Sequence, residues 1–250
     1  MKTNLLLSAV IICLISCSNS KLKNDLDKDD LKGPISKFTE TEFSASEKFG
    51  EAHKEKQQYL ISSKYNKDGN MTNQEVLSTL DSSAADHTIY EMQYNDKGQK
   101  ISIKNIKKSK PHGFYKYTAD GLLSEYDIFD DNGALFGKTI FTYTDNLISS
   151  ETTYNKTGEI DRKIVYKRNN KGLVEELSEY DSSGTIKNKT TQTYNADNLV
   201  EKVISDSDGY KFVSTFKYFN KDEKGNFLKI VRYDKTDKPL EIIERKIEYY

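Results

Sequence analysis

KTIFTYTDNLISSETTYNKTG, residues 138–158, decides the fold. Two runs rich in Thr, Ile, Phe and Tyr, the residue types that strands prefer, are separated and closed by short polar punctuation. The closing mark, an aromatic residue followed by Asn, Asp or Thr, two free positions and Gly, recurs along the chain. It reads YNKDG from Tyr65, YNDKG from Tyr94, YTADG from Tyr117, FDDNG from Phe129, YNKTG from Tyr154 and YDSSG from Tyr180. Each copy has the chemistry of a type I turn closed by a glycine bulge: the Asx side chain caps its own backbone and Gly takes the left-handed conformation. YNADN from Tyr194 fits the same turn, because Asn198 is the non-glycine residue type that best tolerates positive φ.

Looser copies follow. YTDN from Tyr143 is one residue shorter, YKRNNKG from Tyr166 is two longer, and YDKTDKP from Tyr233 ends in Pro239. From Tyr117 to Tyr194 the aromatic positions return every 11 to 14 residues. Removing a four-residue turn leaves about eight residues, an ordinary strand length. The fold class is therefore all-β: a long antiparallel meander of hairpin repeats. Mean hydropathy is −0.77 and only 35% of residues are apolar. LVEELSEY and similar strands mix charge into both faces, which predicts a solvated curved single sheet or an incomplete barrel. TNQEVLSTLDSS near Val76 fits a helix or a strand and loop. Ile35 to Tyr65 is the first ordered stretch, with KFGEAHKEK as its connecting loop.

The N-terminus has the proportions of an export signal: Lys2, an apolar run from Leu5 to Ile15, then Leu14-Ile15-Ser16-Cys17. The last four residues match a bacterial lipobox, so residues 1–16 are read as the signal and Cys17 as the lipid-attachment site. Cys13 and Cys17 are the only cysteines. A processed chain then has no thiol for a disulfide, a metal site or a nucleophile. Residues 17–31 are polar, charged and without aromatics, which predicts a flexible tether, and 32–250 form one β-repeat domain. With Lys2 removed, 37 Lys and Arg face 39 Asp and Glu, so charge gives no case for nucleic acid.

The Y-D/N-x-x-G punctuation resembles the YD repeats of the RHS family. The opening LKGPISKFTETEFSASEKFGE (residues 31–51) with YNKDGN from Tyr65 is similar to the starts of Bacteroidota lipoproteins that carry such repeats. The resemblance implies a sheet of stacked hairpins. It does not extend to the shell-enclosed toxins of the family, because the repeats are too few and no autoprotease core is present. A sugar-binding role also follows from the resemblance alone.

Candidate chemistry is sparse. His53, His87 and His112 are isolated from one another and from cysteine, so neither a metal nor a cofactor is expected. No nucleophile elbow or phosphate loop occurs, and Glu opposite Lys on strands is what a solvated sheet needs. The C-terminal LEIIERKIEYY lacks the uniformly apolar face of a lipid-facing strand. The reading is a non-enzymatic, envelope-anchored lipoprotein of the outer membrane, with surface exposure left open, that binds or scaffolds a glycan or protein partner. Its alternatives are a glycan-acting hydrolase and an accessory subunit of a lipoprotein complex. Tyr143, Tyr154, Tyr166, Tyr180 and Tyr194 are the candidate binding face, arranged as two end rows that project from one side of the sheet.

Overall fold

The computed structural model describes residues 24–79 and 86–250. Within them the turn chemistry sets the strands. At the first repeat the Gly69 N–H donates to the Asn66 carbonyl and the Asn66 N–H to the Asn70 carbonyl, both at 2.9 Å. Asn66 Oδ1 accepts from the Asp68 and Asn70 amides at 3.0 Å, and Gly69 sits at φ 79°. Asn198 takes the same place at φ 61°.

The looser copies are re-registered by the structure. The long turn is an ordinary one that begins at Arg168, with Asn169 capping and Gly172 left-handed. Arg168 thus replaces the aromatic, and Tyr166 lies two residues up the strand. In the copy from Tyr233, Asp237 rather than Pro239 stands in the glycine place, at φ 61°. One copy escapes the pattern altogether: Asp222 to Gly225 makes the same turn behind Lys221.

These turns join β1 (Ile35–Lys48), β2 (Glu51–Tyr65), β3 (Met71–Ser78), β4 (Asp86–Tyr94), β5 (Lys100–Asn105) and β6 (Gly113–Tyr117). There follow β7 (Leu123–Phe129), β8 (Leu135–Thr144), β9 (Leu147–Asn155), β10 (Ile160–Arg168) and β11 (Val174–Asp181). The last are β12 (Ile186–Tyr194), β13 (Val200–Ser207), β14 (Tyr210–Lys221), β15 (Phe227–Tyr233) and β16 (Pro239–Tyr249). Each strand pairs antiparallel with the next, and β1 pairs with β16 from Ile35↔Tyr249 to Ser44↔Glu241. The meander is therefore a closed sixteen-stranded barrel, not the open sheet or incomplete barrel that the composition predicts. A barrel of this size is too wide for side chains to fill, so few apolar residues suffice.

Two further expectations change. KFGEAHKEK is strand rather than loop: β1 and β2 run as one long hairpin through a two-residue turn at Phe49 and Gly50 (φ 55° and 80°). Of the two readings open near Val76, the strand holds, as β3. Residues 24–31, expected in the tether, are ordered. A short helix α1 (Asp25–Lys28), capped by Asn24, buries Leu26, and Leu31 is buried just beyond it. Both pack with Ile35, Tyr65 and Met71 and against Phe38, Met92, Ile247 and Tyr249. Residues 1–23, including the signal and Cys17, lie outside the described residues.

Candidate functional site

Cross-strand register fixes which side chains share a face. Phe38, Ser63, Gln74, Tyr90 and Asn105 are partners in succession across β1 to β5. In the other direction Phe38 pairs with Ile247 of the same face. The α1 cluster covers Phe38, Met92, Ile247 and Tyr249, all on this face, so it is the concave one and α1 sits across one end of the lumen. Electrostatics agree. The Asp25 carboxylate acts on Tyr115 and Tyr117 of β6 as well as on neighbouring Tyr94, as it does when side chains converge.

The opposite, outward face is charged at mid-strand. Lys116 pairs with Glu125 and Asp127, Lys189 with Glu176 at 2.9 Å, and Lys54 with Glu244 at 2.9 Å. The inward face is the more apolar. Ile61, Ile103, Phe141, Ile164, Leu177 and Phe216 line it and are only partly covered. Partial cover is what a hollow interior leaves.

The five candidate tyrosines divide between these faces. Tyr143, Tyr166 and Tyr194 point into the lumen near the α1 end. Their hydroxyls donate to the Leu123 carbonyl (2.7 Å), Glu151 Oε1 (2.7 Å) and the Val174 carbonyl (2.6 Å). Tyr154 and Tyr180 pair with Lys138 and Lys163 on the outer face, and Lys138 Nζ lies 5.8 Å from the Tyr154 ring. The expected single face fails for a geometric reason. A two-fold axis normal to the sheet preserves the face but exchanges left and right, whereas a meander always advances to the same side. Successive hairpins are instead related by an axis lying in the sheet, which exchanges faces.

Hence turn tyrosines at the α1 end all face inward and form a belt. Tyr94, Tyr117, Tyr143, Tyr194 and Tyr218 each donate to the carbonyl that opens the second strand of the preceding hairpin, with Arg168 doing so in its turn. The tyrosine signal was legible in sequence; its use as a strap between hairpins was not.

Two polar clusters stand on this apolar lining. At the α1 end Asp25 accepts from the Tyr94 hydroxyl (2.5 Å) and the Met71 amide (2.9 Å) and pairs with Lys100 at 3.4 Å. Burial works to raise its pKa, but Lys100, Lys28 and these hydrogen bonds outweigh it and hold the carboxyl below its usual range. Burial, then the charge of Asp25, push neighbouring Asp29 up to about 6. Mid-lumen, Arg232 grips Glu241 through two bonds (2.9 and 3.3 Å) and Arg245 donates to Glu40 at 2.8 Å. Glu42 stands beside Glu241 on the same face. Burial, then that carboxyl neighbour, raise Glu42 to about 8.

A carboxyl raised in the folded state favours folding at low pH and loses that advantage as pH climbs from its ordinary value. Stability attributable to Glu42 is therefore expected to fall between the unfolded value near 4.5 and about 8. Glu42→Gln keeps a donor for Glu241 and removes the slope. Melting temperature measured from pH 5 to 8 is expected to decline less in the variant; parallel curves would show that the two carboxyls share no proton.

The histidines do not assemble. His87 Nε2 lies 2.7 Å from Glu75 Oε1, and the His112 ring lies 5.7 Å from Tyr90. Among the described residues no group of three or more His, Cys, Asp or Glu is placed to hold a metal.

No protein-family model matches the sequence, and no curated protein does. Solved structures do resemble it. A porin-like protein from Bacteroides uniformis superposes with a TM-score of 0.61 at 14% identity, over 87% of this chain and 99% of that one. A porin-like protein from Bacteroides vulgatus gives 0.47 at 11% identity, over 86% and 98%. The fold is thus that of a closed porin-like barrel. This overturns the resemblance to RHS-type YD repeats: a shared turn motif recurs here in a barrel that closes on itself.

Proposed function

We propose that this protein is a non-enzymatic binding barrel of the bacterial envelope that takes the apolar part of an amphipathic molecule into its lumen. The observation that carries this is the distribution of polarity between the two faces. Partly covered aliphatic and aromatic side chains line the inside, and ion pairs cover the outside. A membrane-spanning barrel needs the reverse, and a cationic side chain facing lipid at mid-membrane costs roughly 2–4 kcal/mol. The barrel shares its fold with porin-like proteins, and its outward charges favour a place beside the membrane. Lipid on Cys17 supplies the attachment, most simply to the outer membrane.

The glycan-hydrolase alternative is disfavoured at the most conspicuous carboxylate pair. Glu42 stands beside Glu241, and Arg232 already holds Glu241 through two hydrogen bonds, whereas glycosidase carboxylates stand about 5 Å apart or more to flank a substrate. The lumen ion pairs instead suit the polar end of a bound amphipath.

The chain has no Trp, so a single introduced indole reports without background. Phe141→Trp places it on the lumen wall and Tyr154→Trp on the outside. Titration with a brominated single-chain fatty acid is expected to quench the lumen indole saturably and to leave the outer one bright. Equal quenching at both positions, or none, defeats the reading.

A further inference from the structure

The two ends of the barrel are unlike. Of the thirteen large apolar side chains that stand exposed among the described residues, ten lie at the end opposite α1. Every described hairpin at that end contributes at least one. Phe49 is fully exposed, Tyr210 is 73% exposed and Phe136 is 64% exposed, with Phe212, Ile186 and Ile160 between them around the circumference. They are distributed around this rim.

Phe49 is the extreme case. β1 leaves β16 at Ser44↔Glu241 and β2 meets β3 only from Tyr59↔Ser78, so residues 45–56 project beyond both neighbouring ladders. The ring at their tip is held at φ 55°, the first corner of a tight turn that Asn, Asp or Gly fill with less strain. A bulky apolar side chain therefore sits at a projecting tip whose backbone conformation disfavours it.

We infer that the open rim rests on a lipid bilayer, with Phe49 and its ring entering the headgroup boundary. A protein partner is matched by a contiguous apolar centre inside a polar border. Here single apolar side chains are separated by charged turns of both signs, as at Lys108–Asp131 and Lys187 with Asp181 and Asp208. A bilayer interface accepts each side chain independently, and charges of both signs suit zwitterionic headgroups. The inference deepens the proposed lumen function, since a rim seated on lipid opens the lumen to amphipaths held there, but it rests on the rim alone. The described chain begins at Asn24, at the α1 end. The rim meets either the bilayer that holds the lipid of Cys17 or a facing one.

The test uses the full lipidated chain in phosphatidylcholine vesicles. Phe49→Trp and, separately, Phe136→Trp are compared with Tyr250→Trp, which is 57% exposed at the opposite end. Bromine is placed in the acyl chains of either the anchoring vesicles or a second, added population. The rim indoles are expected to emit at shorter wavelength and to lose about half or more of their intensity to brominated lipid, as buried interfacial indoles do. The Tyr250→Trp control is expected to remain unquenched. Quenching in the first arrangement assigns the anchoring bilayer and in the second a facing one; either supports the inference. Water-like, unquenched emission from both rim positions overturns it. So does a blue shift that depends on protein concentration without bromine quenching, which would mark two copies joined mouth to mouth. Because the Phe141→Trp titration reads the lumen separately, failure at the rim and failure of ligand binding are distinguishable.

Discussion

Asp25→Ala is expected to lower the melting temperature by about 6–20 °C. The carboxylate is buried (side chain 8% exposed) and its partner Lys100 nearly so (17%). Removing one member of such a pair leaves the other charge without compensation, which typically costs about 3–5 kcal/mol; at this chain length each kcal/mol is worth about 2–4 °C. The Tyr94 hydroxyl and the Met71 amide lose their shared acceptor as well. Replacing both charges, as Asp25→Leu with Lys100→Met, is expected to recover part of the loss, because no charge is then left unpaired, while the Met71 amide still lacks its acceptor. Thermal unfolding of the two variants side by side checks this. If the double variant melts no higher than Asp25→Ala, the pair is not what fixes α1 to the barrel.

Gly69→Val is expected to destabilise by about 1.5–5 kcal/mol, more than the same change at Gly158. Both glycines are left-handed, at φ 79° and 85°, and a branched side chain there costs about 1–3 kcal/mol. Gly158 has open space around it, so strain is its whole penalty. A Cβ at Gly69 would stand 2.7 Å from Asn24 Cγ. Asn24 donates to the Asp68 carbonyl and caps the Asp27 amide, and losing a cap adds about 0.5–2 kcal/mol. Denaturant midpoints for the two variants measure the difference. Equal effects would mean that Asn24 moves aside freely.

The sequence made the hairpins readable because their chemistry is local. Asn66, Gly69 and Asn198 act within four residues of themselves, and each sits in the turn that its type demands. Lys221 hid one turn and Arg168 displaced the reading of another by two residues, because each replaces the aromatic, which does not make the turn; the Asx residue and the left-handed residue make it. What lay beyond reach was relation at a distance. No local signal tells Phe38 that its partner is Ile247, so closure was invisible and the sheet was expected to stay open. The candidate site suffered likewise. Glu40, Glu42, Arg232, Glu241 and Arg245 come from both ends of the chain and look like ordinary surface charges until β1 and β16 meet. Residues 24–31 looked like tether because only Leu26 and Leu31 are apolar there, yet those two are the ones that α1 and its exit bury.

The β1–β16 seam also imposes an order of assembly. Every other pairing joins strands consecutive in the chain and can form as soon as one hairpin is complete. The seam pairs Thr39 with Lys246 and Phe43 with Ile242, across nearly the whole chain, so its loop-closure entropy is met last. Until β16 arrives, β1 presents a fourteen-residue strand with one unpaired edge, a template for any other extended chain. A chain made from one end to the other carries that edge through nearly all of its synthesis. The nascent protein therefore has its longest period of vulnerability at its first strand, and the final eleven residues of strand end it.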